Sequence, residues 1–234
     1  MPGMKETHDC DLKTCFLCSQ SLDGWLPLIA SNRKNLHFKK GEVIFEEGKA
    51  VEGIYFLFDG IVKVHKAWGK EKELILHFAK KGDMIGYRGL GNKKTYPVTA
   101  TALEPVTVCF IDLVFFESTL QVNHQLTYHL LKFYTNELQE AENRMRNLAH
   151  MDVKGRIAES LLVLKKRFGQ GKDGYIKITV SRQDMASFAG TTYETLFRTM
   201  NELVNDKLIR ITGKQIAILK EAALEALSAN KELD

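Results

Sequence analysis

Two helix-start signals on either side of one glycine constrain the last third of the chain most strongly. Ser181 and Thr191 are each followed, three residues later, by an acidic residue. A hydroxyl residue at this spacing from an acidic one resembles the capping box that begins a helix. Gly190 predicts a break between the two helices, because glycine is common just past a helix end. The segment therefore predicts one helix over Arg182–Ala189 and a second from the Thr191 signal to about Asp206.

The residues around this helix pair extend the prediction to a whole domain, 151–234. The segment "VKGRIAESLLVLKKRF" before it has the apolar spacing of an amphipathic helix, and "YIKITV" reads as a strand. After the pair, "LIRITGKQIAIL" alternates around a Gly-Lys turn and predicts a β-hairpin. Two helices joined by a tight turn and followed by a hairpin are typical of a winged helix-turn-helix.

Charge supports a polyanionic partner for this region alone. Residues 150–220 hold 13 Lys and Arg against 7 Asp and Glu, whereas the whole chain has a net charge of only +4. A basic region on a nearly neutral chain indicates contact with a polyanion, although a solvated basic surface gives the same count.

The second helix of the pair has two distinct faces. Leu196, Met200 and Leu203 form an apolar stripe that predicts the buried side. On the opposite side, Arg198 can donate two hydrogen bonds to guanine and Glu194 can accept one from cytosine. Arg198 could instead contact phosphate. The neighbouring Phe197 could contact a thymine methyl group or belong to the core.

The middle of the chain changes from a strand pattern to a helix pattern. Short β-branched and aromatic runs between glycines over 36–112 predict an antiparallel sandwich or barrel, within a domain at 25–115. A long helix follows over 116–150, with residues that recur at alternating spacings of three and four. This a/d seam favours a homodimer over packing within one subunit. The predicted seam residues are Leu131, Tyr134, Leu138, Ala141, Met145 and Leu148.

Three of the four cysteines lie in the N-terminal segment 1–24, within "HDCDLKTCFLC". They are Cys10, Cys15 and Cys18, and the fourth is Cys109. The N-terminus lacks the apolar run of a secretion signal, and the chain lacks the apolar stretch of about 20 residues that spans a membrane. We therefore expect a cytoplasmic protein without membrane contact. In that compartment clustered thiols are more often metal ligands or redox groups than disulfides.

The order of these parts resembles the Crp/Fnr superfamily of bacterial transcription regulators over nearly the whole chain. "GDMIG" is similar to a family turn, and "SRQDMASFAGTTYETLFRTMNEL" resembles the family's DNA-binding signature. The resemblance implies an α+β fold with a cyclic-nucleotide-binding-like antiparallel β-roll of eight strands, a long dimerisation helix and a C-terminal winged helix-turn-helix. The implied partners are palindromic double-stranded DNA, RNA polymerase and a second copy of the chain. The implied DNA-binding residues are Ser181, Arg182, Thr191, Thr192, Tyr193, Glu194, Phe197 and Arg198.

Members that bind cyclic AMP carry a Glu, an Arg and a Ser at set places on the β-roll. Tyr87, Tyr96 and Pro97 stand at the matching places here, where Tyr96 lacks the charge of Arg and Pro97 has neither a side-chain donor nor a backbone N–H. A positive charge could come from Arg88, Lys93 or Lys94, but not at the matched place, which argues against cyclic AMP. "GYRGLG" is instead similar to a turn of the oxygen-sensing FNR-like branch, and "ALEPVTVC" is similar to the context of that branch's cluster-binding cysteine on the β-roll.

The FNR-like resemblance implies a [4Fe–4S] cluster held by Cys10, Cys15, Cys18 and Cys109, since such a cluster takes four thiolates. The N-terminal spacing, with gaps of four and two residues, differs from that of FNR itself. Zinc on the same thiolates, thiols that respond to oxidants and inert thiols remain alternatives. Haem on His65, His77, His124 or His129 and an unknown small molecule are others.

The expected mechanism is allosteric: a signal at the N-terminal segment and β-roll changes the helix seam and hence the spacing of the two DNA-reading helices. The sequence lacks a nucleophile–His–acid grouping, a phosphate loop and an HExxH motif. We therefore expect no enzymatic activity. A cyclic-nucleotide-binding protein without DNA activity is the remaining rival.

Overall fold

The computed structural model describes residues 14–69 and 72–229. The chain divides into two units, Met1–Asn136 and Glu137–Asp234, and the division falls within one long helix. Cys10 lies outside the described residues.

In the described part of the first unit, eight strands build two antiparallel four-stranded sheets. One sheet has the order β1-β8-β3-β6 and the other β2-β7-β4-β5. The strands are β1 (Arg33–Phe38), β2 (Val43–Phe45), β3 (Gly53–Asp59), β4 (Val62–Trp68), β5 (Lys72–Ala79), β6 (Met84–Ile85), β7 (Thr99–Ala102) and β8 (Val106–Asp112). The predicted antiparallel β-roll is confirmed.

Strands β3 and β8 are buried on both faces. Their side chains point alternately to one face and the other, so each belongs to one of two cores. Tyr55 and Phe110 belong to a core that also contains residues of the other sheet. Phe56 and Cys109 point the other way, because successive side chains of a strand alternate, and they join a second core built with helical residues. Cys109 therefore faces the helical layer and not the space between the sheets.

Helices α1 (Phe16–Gln20), α2 (Leu26–Asn32), α3 (Leu113–Val122) and α4 (His124–His150) complete this layer. The single long helix expected over 116–150 is wrong in one respect, because Asn123 separates α3 from α4. Its backbone leaves the helical region, and its side chain accepts a hydrogen bond from the Leu126 amide at 3.2 Å. A side-chain acceptor at this place starts a new helix.

The second unit carries α5 (Val153–Phe168), α6 (Arg182–Ala189), α7 (Tyr193–Asn205) and α8 (Glu221–Ser228), with β9 (Ile209–Thr212) and β10 (Gln215–Ile218) as a hairpin. The expected strand "YIKITV" is wrong. Only isolated bridges occur there, from Tyr175 to Ala217 and from Ile176 to Gln170. No ladder continues beyond them, so this apolar segment packs as extended chain, with Ile176, Ile178 and Val180 buried.

Within the described ranges, no helix combines the length and the apolar character that crossing a membrane requires.

Candidate nucleic-acid interface and cysteine cluster

Side-chain caps define the two helices around Gly190. The Ser181 hydroxyl accepts a hydrogen bond from the Asp184 amide at 3.0 Å and begins α6. Gly190 ends α6 with φ +64°, a left-handed conformation that glycine adopts without strain. Helix α7 follows after only two further residues, so the pair forms a helix-turn-helix.

The cap of α7 differs from the sequence prediction by one residue. Thr192, and not Thr191, accepts the hydrogen bond from the amide three residues on, Thr195, at 3.2 Å. The Thr191 amide instead donates to the Ala186 carbonyl at 3.0 Å and closes the end of α6. The acidic residue three positions on favours Thr191 in the sequence, but the Thr191 amide is used to close α6, and Thr192 is the residue that caps α7.

Helix α7 buries one side and exposes the other. Leu196, Met200 and Leu203 are buried as the sequence predicts, whereas Glu194 and Arg198 are exposed one turn apart. Among the described residues, neither of these two charged side chains has a hydrogen-bond or ion-pair partner. Both are therefore available to an external ligand on the first turns of the helix.

Two aromatic rings extend the same surface. Tyr193 and Phe197 are 43% and 53% exposed, and their rings stack with centroids 6.3 Å apart and planes inclined by 13°. The alternative that Phe197 is a core residue is therefore wrong.

Arg182 joins the start of α6 to the turn of the β9–β10 hairpin. Its Nη2 atom donates to the Gly213 carbonyl at 3.2 Å. Its Nη1 atom is buried and has no hydrogen-bond partner within the described part of the chain. Burial lowers the pKa of Arg182 from its usual value. Arg182 thus holds the β9–β10 hairpin against the start of α6, and its Nη1 atom can still donate a hydrogen bond there.

Two further arginines, which the sequence analysis missed, hold the end of α6. Arg144 of α4 donates to the Phe188 carbonyl at 2.7 Å, and its guanidinium lies 4.7 Å from the centre of the Phe188 ring. Arg156 of α5 donates to the carbonyls of Ala189 at 3.1 Å and Gly190 at 3.3 Å. Desolvation by burial lowers the pKa of Arg144 to about 10. We call these two side chains the arginine clamp.

Most of the predicted seam on α4 is open to solvent. Leu131, Leu138 and Met145 are 60–65% exposed, Ala141 is exposed, and Leu148 is 36% exposed. A Cβ on Gly190 would lie 2.5 Å from Leu148, so this leucine also contacts the helix-turn-helix. Among the described residues, most of this apolar row is therefore open to solvent.

Tyr134 differs from the rest of the predicted seam. Its ring packs edge-on to Tyr87, with centroids 5.7 Å apart, and its hydroxyl donates to the Tyr87 carbonyl at 2.6 Å. Burial raises the pKa of Tyr134 to about 12. In this structure Tyr134 therefore packs within its own subunit.

The three described cysteines lie in one buried core. Cys15 directly precedes α1, Cys18 lies within it, and both share a cluster with Cys109 of β8. Cys15 and Cys109 line one small cavity together with Thr14, Phe56, Leu57, Phe58 and Lys81. In the described ranges no three His, Cys, Asp or Glu side chains come together as a metal-binding group.

Tyr96 and Pro97 stand where the family resemblance puts the phosphate-binding Arg and Ser of the cyclic AMP binders, and Tyr96 is a core residue here. Tyr96 is 2% exposed and stacks on Phe45, with ring centroids 4.3 Å apart. Its hydroxyl donates to the Gly53 carbonyl at 2.9 Å and accepts from the Glu52 and Gly53 amides. The Pro97 carbonyl accepts from Lys66 at 2.9 Å.

His65, one of the histidines considered for haem, has a polar side chain close to each ring nitrogen. Nδ1 lies 2.7 Å from Glu73, and Nε2 lies 3.0 Å from the Thr101 hydroxyl. Lys63 contacts the same carboxylate at 2.6 Å. The His65 hydrogen bond, with Lys63, lowers the pKa of Glu73 to about 2.

Comparison with known proteins gives two domain matches. Residues 35–123 match the cyclic nucleotide-binding domain, and residues 155–227 match the Crp-like helix-turn-helix domain. The chain is 28% identical to the nitrogen fixation regulation protein FixK of Bradyrhizobium diazoefficiens, over 94% of this chain and 93% of that protein. It is 26% identical to the transcriptional activator protein Anr of Pseudomonas protegens, over 94% and 91%.

Among solved structures, FixK2 from Bradyrhizobium japonicum superimposes with a TM-score of 0.75 at 24% identity. The match covers 84% of this chain and 98% of that one, and it establishes the shared fold.

Proposed function

The chain belongs to the Crp/Fnr family of DNA-binding transcription regulators, and on that premise we propose that it is a homodimer that reads a palindromic operator and responds to oxygen or redox state. The relatives that it matches are regulators and not enzymes. In this proposal the chain acts in the cytoplasm in four parts: the cysteine segment 1–24, the β-roll 25–115, the dimerisation region 116–150 and the DNA-binding domain 151–234.

The observation that carries the proposal is the pair Glu194 and Arg198 on α7. Both side chains are exposed one turn apart at the start of the second helix of a helix-turn-helix, the part of this motif that reaches base edges. Arg198 donates two hydrogen bonds to guanine O6 and N7, and Glu194 accepts one from the N4 amino group of a cytosine. The two residues thereby select G·C pairs.

Other residues of the interface hold the DNA backbone. Ser181 and Arg182 at the start of α6, with Thr191 and Thr192 at the start of α7, lie where donors meet phosphates in this motif. The unpartnered Nη1 of Arg182 supports this role, because a buried guanidinium donor is costly unless a ligand accepts from it.

A dimer is supported by the open apolar row on α4. Pairing through Leu131, Leu138, Ala141, Met145 and Leu148 would bury side chains that the single chain exposes. A two-fold dimer presents two α7 helices to half-sites about 34 Å apart, which is why we expect a palindromic operator. RNA polymerase is the further partner that we propose for a regulator of this family.

The sensor is proposed at the cysteines. Cys15, Cys18 and Cys109 come from distant parts of the sequence into one buried core, and Cys10 lies only five residues before Cys15. A Cβ on Gly82 would lie 2.9 Å from the Thr14 carbonyl, so the chain entering Cys15 runs against the β-roll. This donor set fits a [4Fe–4S] cluster held by all four cysteines, and such a cluster, when bound, supplies a redox-active centre.

Tyr96 supports a sensor that does not bind cyclic nucleotides. Its ring and hydroxyl are fully engaged in the core at the place where the nucleotide-binding relatives would carry a phosphate-binding side chain. A ligand phosphate there would displace a packed aromatic ring from the core.

In the proposed coupling, the state of the cysteine core changes the pairing of α4, and α4 contacts the helix-turn-helix through Arg144 and Leu148. Couplings of about 1–3 kcal/mol between two sites change affinity about 5- to 150-fold.

DNA reading is tested by selecting operators from randomised duplexes and then measuring affinity against salt. We expect Glu194→Ala and Arg198→Ala to weaken binding to the selected operator by about 1–3 kcal/mol each and to relax base preference. Asn205→Ala is the matched control, because Asn205 is exposed on α7 about three turns beyond Glu194 and about two turns beyond Arg198. Unchanged base preference in both variants would contradict the assignment.

The sensor is tested by purifying the full chain without oxygen and measuring iron, sulfide and zinc. About four irons per chain with visible absorbance support the cluster. One zinc per chain supports zinc bound by the same four thiolates. Protein without metal contradicts the cluster and supports thiol oxidation or a small molecule as the signal.

A further inference from the structure

The stacked pair Tyr193 and Phe197 lies outside the buried stripe of α7. The stripe that anchors α7 consists of Leu196, Met200 and Leu203, which lie on the other side of the helix. The two rings are instead about half exposed and lie nearly parallel against each other. Apolar surface left in water on a helix that binds a ligand is available for contact with that ligand.

The position of the pair limits what it can contact. Tyr193 is the first residue of α7, and Phe197 lies one turn on, so the pair runs beside Glu194 and Arg198 at the same end of the helix. Thr192 caps this end and fixes its first turn. If the two charged side chains reach one base pair, the rings would lie beside the neighbouring base pairs, because they occupy the adjoining positions of the helix.

The major groove offers one apolar group to such rings. Guanine, cytosine and adenine present only hydrogen-bonding groups there, and thymine adds a 5-methyl group. The Phe197 ring can neither donate to nor accept from a base edge, so hydrogen bonding cannot explain selection by it.

We propose that Tyr193 and Phe197 form an apolar surface that selects thymines, through their 5-methyl groups, on one side of the G·C pair read by Arg198 and Glu194. The inference rests on the proposed function, because it requires that α7 enter the major groove. It adds that specificity at the neighbouring positions comes from methyl burial and not from hydrogen bonds.

The test changes the DNA and leaves the protein intact. An operator selected by the wild-type chain is resynthesised with deoxyuridine in place of thymidine, which removes the methyl group and keeps the hydrogen bonds. For each thymine beside the contacted G·C pair we expect about fourfold weaker binding, the scale of one buried CH₂ group. Deoxyuridine outside the half-sites serves as the control and should leave affinity unchanged.

The variant Phe197→Ala, measured on the same two operators, shows whether the loss with deoxyuridine depends on this ring. We expect it to bind the thymidine and deoxyuridine operators almost equally, while Tyr193→Phe keeps the wild-type preference because it keeps the ring. If wild-type protein binds both operators with the same affinity, or if Phe197→Ala weakens binding to both by the same factor, the rings contact the sugar-phosphate backbone and the inference is wrong. Failure to select any operator would instead overturn the proposed function itself.

Discussion

Glu73 contacts two side chains of β4, Lys63 and His65. Lys63 and His65 both contact its carboxylate, at 2.6 and 2.7 Å, and they lower its pKa to about 2 from the ordinary 4.5. A carboxylate whose pKa is lowered by folding stabilises the folded state at every pH above its unfolded value. That contribution is therefore present above about pH 4.5 and is lost as the pH falls towards 2.

We expect Glu73→Gln to lower the free energy of unfolding of the first unit by about 1 kcal/mol at pH 7. The difference from wild type should shrink as the pH falls below 4.5. Urea unfolding followed by tryptophan fluorescence reports this unit alone, because both tryptophans, Trp25 and Trp68, lie in it. Glu104→Gln removes an exposed carboxylate and is the control. An equal loss at pH 7 and pH 3 would contradict the ion-pair explanation.

Local signals at single residues predicted part of the site. Ser181 and Gly190 set the bounds of α6 correctly, because a side-chain cap and a left-handed glycine act within a few residues. The choice between Thr191 and Thr192 depends on a backbone hydrogen bond to Ala186, which no sequence spacing reveals. The exposure of Phe197 likewise follows from the helix phase and not from its residue type.

The arginine clamp acts at the scale of elements, because it ties the end of α6 to α4 and α5. The last carbonyls of a helix have no partner within the helix and need external donors. Arg144 and Arg156 supply them at Phe188, Ala189 and Gly190.

We expect Arg144→Ala to destabilise this turn by about 2 kcal/mol, the scale of a lost hydrogen bond to a charged group. Hydrogen exchange of peptides within 182–205 should then quicken about 30-fold, and operator affinity should fall. Arg146→Ala is the matched control, since Arg146 is exposed on the same helix and bonds only to the adjacent Asn147 among described residues. Equal exchange in the two variants would argue against a clamp.

The periodicity of apolar residues predicted the elements whose structure depends on local sequence. It failed for elements whose structure depends on contacts with other parts of the chain. Helix α5 has the predicted bounds, because its apolar spacing is local. "YIKITV" has the composition of a strand, but neighbouring chain offers it only single bridges, and strand structure requires a paired ladder. Asn123 interrupts a continuous helical pattern because its side chain caps the next helix.

At the scale of the whole molecule, the proposed function depends on the oligomeric state, because a palindromic operator requires a two-fold dimer. The resemblance predicted the order of sheet, helix and winged helix-turn-helix correctly, since each part carries its own pattern. The Tyr134 contact with Tyr87 was missed because it joins residues that are far apart in sequence, and periodicity cannot distinguish it from a seam contact.

We expect Leu138→Glu to dissociate the proposed dimer, because it places a charge within an apolar seam, and to weaken dimerisation more than about 100-fold. Sedimentation velocity measures the mass, and operator affinity should fall with it. Asn136→Glu adds the same charge to the opposite side of α4, where Asn136 is exposed, and should remain dimeric. A dimeric Leu138→Glu protein would place the interface elsewhere.

The packed position of Tyr96 also makes this regulator a candidate for redesign as a sensor of a chosen chemical. Replacing Tyr96 by glycine would leave a phenol-shaped space against Phe45, with the Gly53 amide and carbonyl unsatisfied at its end. Buried cavities of this kind admit small aromatic molecules of matching shape. Added phenol would restore both the lost packing and the hydrogen bonds, so that an outside compound would control the stability of the sheet that carries Cys109.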